Sequence, residues 1–107
     1  MGYVYLLAEQ AEPGEVLRDW VKIGYTQNPP AWRLDANLKR GNLRTIFIAA
    51  YYKFESNELA LRMERLAHNE FSDCRHQKEW FATNWAVVHR WFVSQGFSSE
   101  VSGQPPA

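Results

Sequence analysis

The sequence predicts a small α/β domain of the α+β kind, a three-stranded antiparallel sheet flanked by helices, and three observations lead to it. Residues 3–8, 20–25 and 44–53 have the β-branched and aromatic composition of strands. Segments near 30–39, 56–71 and 84–95 instead carry apolar residues at helical spacing with start or stop signals. The first two strands follow each other with no helix between them, which favours a hairpin with a long loop.

Taken in order, Tyr3-Val4-Tyr5-Leu6-Leu7-Ala8 is apolar or aromatic throughout with no helical period, the mark of a largely buried strand. The stretch from Glu9 to Glu15 is acidic and contains the turn dipeptide Pro13-Gly14. Trp20-Val21-Lys22-Ile23-Gly24-Tyr25 then resumes strand composition. Asn28 before Pro29-Pro30 starts a helix, because asparagine caps well and proline is tolerated in the first turn. Its apolar positions are Ala31, Leu34 and Leu38, and Gly41 ends it. Arg44 to Phe54 is the third strand, with Ile46, Phe47, Ile48, Tyr51 and Tyr52. Ser56 caps a helix running to about Phe71, with Leu59, Met63 and Leu66 on one stripe. Glu79-Trp80-Phe81-Ala82 is a short extended piece, and a last helix runs from near Asn84 to around Gln95-Gly96. Residues 1–96 are read as one domain and 97–107, rich in Ser, Gly and Pro, as a disordered tail.

Composition narrows the function classes. A chain of 107 residues suits one core, and 46% hydrophobic with 15% aromatic residues excludes the disordered class. No run approaches the roughly 18 apolar residues of a bilayer span, and no basic region precedes an apolar signal core, so a cytoplasmic location with no membrane partner is expected. Cys74 is the single cysteine, which rules out an internal disulfide and the usual structural zinc patterns and leaves it a loop or packing residue. Net charge is zero, against a protein that coats nucleic acid with its whole surface, but the charges are unevenly spread. Residues 1–19 set four acidic residues against Arg18, a net of −3; residues 20–53 set six basic residues against Asp35, a net of +5; the rest is −2. The basic middle segment is either a local patch for a phosphate backbone or a scatter of solvated charges.

Tyr3-Val4-Tyr5 on the first strand, Lys22-Ile23-Gly24 on the second and Arg33 nine residues later resemble the GIY-YIG nuclease superfamily. Met63-Glu64-Arg65-Leu66-Ala67-His68, then Phe71 and Glu79-Trp80-Phe81, are similar to a phage and bacterial subgroup whose second triad begins with lysine. The resemblance spans about residues 2 to 92. It implies a GIY-YIG-like fold and a divalent-metal-dependent endonuclease hydrolysing DNA phosphodiester bonds, with Mg²⁺ or Mn²⁺ as cofactor and DNA as partner. Two positions depart from the pattern: Lys22 stands where the superfamily usually has tyrosine, and Tyr3 where it has glycine.

On this resemblance a strand tyrosine acts near the attacking water, an arginine on the phosphate, and a helix glutamate on the metal. Tyr5 closes the first triad and as a phenolate would take a proton from the water, helped by a metal and by cations such as Lys22 or Arg33. Tyr3, two residues away on the same strand face, is its substitute; the ordinary role for either ring is packing in the sheet. Lys22 is read as a phosphate or water contact, or as an exposed lysine. Arg33 has a planar fork suited to two phosphate oxygens, or is a solvated surface residue. Glu64 shares its helix flank with Leu61, Ala67, His68 and Phe71, and a carboxylate in such surroundings needs a partner, which a hard cation with its waters would supply. Arg62 and Arg65, two and one positions away, do not face it as helix ion-pair partners. His68, one turn on, assists proton transfer or contacts phosphate, or is a hydrogen-bonded core histidine. Glu79-Trp80-Phe81 is read as packing the C-terminal edge.

Lys22 divides an active nuclease from a nucleic-acid-binding domain that kept the fold and lost turnover. A third reading, a protein-interaction module, uses the five tryptophans as anchors. These residues contain no evident second DNA-reading motif, so target specificity is expected to be low or to come from a homodimer or partner protein.

Overall fold

The computed structural model describes residues 1–9, 20–27, 46–77 and 79–99. Strand β1, Gly2–Glu9, is apolar on both faces: Val4, Leu6 and Ala8 point to one side, Tyr5 and Leu7 to the other, and all five are at most 5% exposed. Such a strand belongs in the middle of a sheet covered on both sides, and this explains why its sequence shows no alternation. Strands β2, Val21–Thr26, and β3, Ile46–Phe54, flank β1 and pair antiparallel with it, in agreement with the expected three-stranded core.

The sheet is nevertheless larger than three strands. Among the described residues its order is β3-β1-β2-β5-β4, with β4 at Arg75–Gln77 and β5 at Trp80–Phe81. Trp80 pairs with Lys22 and Phe81 with Val21. A strand of two residues is too short to show a period of two, so it read only as an extended piece. The helix expected near 30–39 lies outside the described residues, as does the tail from residue 100 onward.

β3 carries a bulge. Leu6 lies opposite Ala50 and Leu7 opposite Ile48, which leaves Ala49 as the extra residue. Phe47 and Tyr52 are five apart and in a regular strand would face opposite ways; the extra residue puts both into the same core. Ala49 and Ala50, both buried, are small enough to sit side by side on that face.

Helix α1, Asn57–Glu70, starts at Ser56, whose hydroxyl accepts the Leu59 N–H at 3.1 Å. It docks on the sheet through Ala60, Met63 and Ala67 rather than the expected Leu59, Met63 and Leu66 stripe. Leu66 is 47% exposed and Leu59 half-buried. The reason is close approach: a Cβ added at Gly2 would lie 2.8 Å from the Ala60 Cβ, so the helix sits on β1 through its small residues. Helix α2, Trp85–Ser94, is capped by Asn84, which accepts the Ala86 N–H at 2.8 Å. It contributes Val88 and Phe92, with Phe92 stacked on Tyr52 at 4.2 Å between ring centres. Burial pushes the Tyr52 phenol above its ordinary range, and its hydroxyl lies 2.7 Å from His89 Nδ1. Phe97 packs on Phe54, ring centres 4.9 Å apart. Among the described residues no helix is long and apolar enough to cross a membrane.

Candidate active site

β5 ends its pairing with β2 at Lys22, and the next residue shows how the exposed edge is finished. The Ile23 N–H donates to the Glu79 carbonyl at 3.0 Å, and its carbonyl oxygen lies 2.9 Å from His68 Nε2. A carbonyl only accepts, so His68 carries its proton on Nε2 and donates it here. Both edge groups of Ile23 are thereby satisfied, one from the β4–β5 turn and one from α1. His68, with its ring tilted over Phe81 at 5.1 Å, is thus a hydrogen-bonded edge residue that ties α1 to β2.

Glu79, in the turn beside this edge, lies near enough to Glu64 for its charge to act on it. Lys22 Nζ is 3.7 Å from a Glu79 carboxylate oxygen, both side chains partly open to solvent. Such a pair contributes under about 1 kcal/mol. Glu64, one turn before His68 on α1, has its carboxyl pushed up to about 7 by burial first and by the Glu79 charge second, with Arg65 opposing. The Glu64 charge is thus disfavoured where it stands, and a cation beside it would relieve this. The donors are hard oxygens, which suits Mg²⁺ or Mn²⁺. Among the described residues no group of three His, Cys, Asp or Glu is close enough to hold a metal. A cation here would therefore keep water or substrate oxygens on most of its positions, the habit of magnesium.

Tyr5 and Tyr3 stand on the sheet face turned away from α1. Tyr5 is opposite Gly24 in the β1–β2 register and only 2% exposed. Its ring and hydroxyl fill the space where a Gly24 Cβ would be, which is why glycine stands there. Tyr3, opposite Thr26, is half-buried and meets Tyr51 edge to face at 5.9 Å. Lys22 shares this face, opposite Leu7, while Glu64 comes from the helix side. Lys22 therefore approaches the β2 edge from one sheet face and the helix-borne Glu64 and His68 from the other, with Tyr5 two residue pairs along the sheet from Lys22. Arg33 lies outside the described residues.

Glu79 is the residue that sequence reasoning set aside as packing. Trp80 does pack, against Tyr5 and Leu7, and Phe81 is fully buried. No local pattern in Glu79-Trp80-Phe81 marks the glutamate, because its place follows from the pairing of Trp80 and Phe81 with β2.

A nuclease-like, nucleic-acid-binding class fits the small antiparallel sheet with an acidic edge, and the family comparison agrees. The model of the T5orf172 domain matches residues 2–94, and the chain belongs to that family, a nucleic-acid-binding, nuclease-like domain within the GIY-YIG-like superfamily. This corrects the assignment made from the two triads, because the T5orf172 domain is a family distinct from GIY-YIG itself. The triads misled because the tyrosine of one and the glycine of the other are held together by packing, a constraint that does not separate related families. No curated protein and no solved structure matches the sequence.

Proposed function

We propose that this domain is a divalent-metal-dependent endonuclease hydrolysing DNA phosphodiester bonds. One observation carries the reading: a partly buried glutamate, Glu64, whose charge is disfavoured by burial and by Glu79. A cation bound beside it would favour the charged carboxylate over the protonated one. A bound Mg²⁺ or Mn²⁺ would supply charge neutralisation at the phosphate and a more acidic water. Glu64 is the residue that holds it, with Glu79 beside it. His68 keeps α1 at a set distance from β2, so that Glu64 is positioned by a backbone contact rather than by its own side chain. Lys22 contacts the phosphate once its loose pairing with Glu79 is exchanged for the substrate. Arg33 is assigned to the phosphate and Tyr5 to the water's proton, with Tyr3 in reserve, on sequence grounds. A cytoplasmic location and a homodimer or partner protein that sets the target belong to the same reading.

A second reading, a nucleic-acid-binding domain without turnover, is favoured by the deep burial of Tyr5. Plasmid nicking with Mg²⁺ or Mn²⁺ separates the two. The parent protein is expected to nick in metal and not in EDTA, and Glu64→Gln to bind DNA without nicking it. Nicking at the parental rate by a folded Glu64→Gln protein would remove the metal-site assignment. No nicking by the parent, with binding intact, would favour the second reading, and Lys22→Tyr would then be the variant to test for gain of activity.

A further inference from the structure

The flank of α1 facing solvent carries Arg62 and Arg65, three apart and therefore neighbours on the helix surface. Both are exposed, and both line a cavity of about 400 Å³ together with Glu58, Leu61, Leu66 and Asn69. An exposed arginine on a helix ordinarily leans on a carboxylate one turn away, and Glu58 is placed for Arg62. Among the described residues, however, neither arginine forms an ion pair. Two exposed guanidinium groups on the wall of a concavity, neither held in an ion pair, can take an anion with several oxygens, since each fork can hold two of them.

Position selects which anion. Arg65 follows Glu64 directly in sequence, so the cavity lies on the same helix that carries the candidate metal ligand. Leu66, unusually exposed for a leucine, and Leu61 add apolar surface to either side of the charges. That combination suits a sugar-phosphate chain better than a free ion. Glu58 lies at the N-terminal end and repels phosphate there, which leaves the Arg62 to Asn69 stretch as the cationic track for the backbone.

The geometry points to this flank of α1 as a DNA-backbone site, with Arg62 and Arg65 each holding a phosphate of the strand that passes Glu64. The inference rests on the nucleic-acid reading of the domain but goes beyond it, because it names residues on a surface that the chemistry at the β2 edge does not require. Neither arginine supports the core, so their replacement leaves the fold intact.

The test is the salt dependence of DNA binding in EDTA, measured by fluorescence anisotropy on a labelled duplex for the parent, R62A/R65A and R62K/R65K. Losing two phosphate contacts should lower the slope of log K against log salt by about 2 and weaken binding roughly tenfold to a hundredfold at low salt. The lysine variant keeps the charges and should keep most of the slope. An unchanged slope and affinity in R62A/R65A, with parental binding intact, overturns the arginine site alone. Absence of salt-dependent binding by the parent overturns the nucleic-acid reading and this site with it.

Discussion

Gly24 is the residue with least freedom at the site. The Tyr5 ring occupies the volume of any Cβ placed there, so Gly24→Ala forces either the ring or the strand to move. Overpacking of this kind costs about 1–3 kcal/mol. Combining it with Tyr5→Leu, which vacates the space, should recover part of the loss; urea denaturation of the four proteins measures the coupling. Strict additivity would show that the two side chains do not compete. Glu64 makes the opposite kind of prediction. Its folded value near 7 lies above the ordinary 4.5, so the protonated form is favoured by folding. The stability this contributes is present below about pH 4.5 and is lost as pH rises through 7, by about 1–2 kcal/mol once partial exposure is allowed for. In EDTA, Glu64→Gln should therefore be more stable than the parent above pH 7, and the difference should vanish toward pH 4. A parent whose stability rises over that interval while the variant's does not would contradict the assignment.

Among the elements, α2 ends on geometry that can be tested in isolation. Gly96 has φ +95°, its N–H donates to the Val93 carbonyl at 2.9 Å, and the Phe97 N–H donates to the Phe92 carbonyl at 3.1 Å. This is the Schellman arrangement, and it turns the chain so that Phe97 can reach Phe54. Nothing lies within 4 Å of a Cβ at Gly96, so a substitution there pays only for the backbone. Gly96→Ala should destabilise by about 1 kcal/mol and Gly96→Asn by less, because asparagine tolerates the left-handed region. Equal losses for the two, read from thermal unfolding, would place the effect in side-chain contacts instead. The bulge in β3 works by the same logic of local backbone: one extra alanine lets Phe47 and Tyr52 share a core.

At the scale of the molecule, the candidate site belongs to no single element. Glu64 is on α1, Lys22 on β2 and Glu79 in the turn before β5, and Ile23 is where the three supports meet. A cation bound to the folded form and not to the unfolded chain raises stability by mass action. Millimolar Mg²⁺ is expected to raise the Tm of the parent and to leave that of Glu64→Gln unchanged. Equal shifts for both proteins would mean that the ion acts elsewhere.

The sequence by itself determined the order of elements, because strand and helix signals are periodic patterns of consecutive residues. Three core strands, two capped helices and the antiparallel hairpin could all be read in advance, and Glu64 stood out as a carboxylate on an apolar flank. What only the tertiary structure decided is which residues meet across the chain. Ala60 and Ala67 took the core in place of Leu66 because Gly2 let the helix approach closely. Residues 75–77 and 80–81 joined the sheet because β2 had an edge to fill, and that docking brought Glu79 to Lys22 and to Glu64. Propensity acts over a few neighbouring residues, whereas these contacts depend on how closely whole elements pack, so no local pattern carried them.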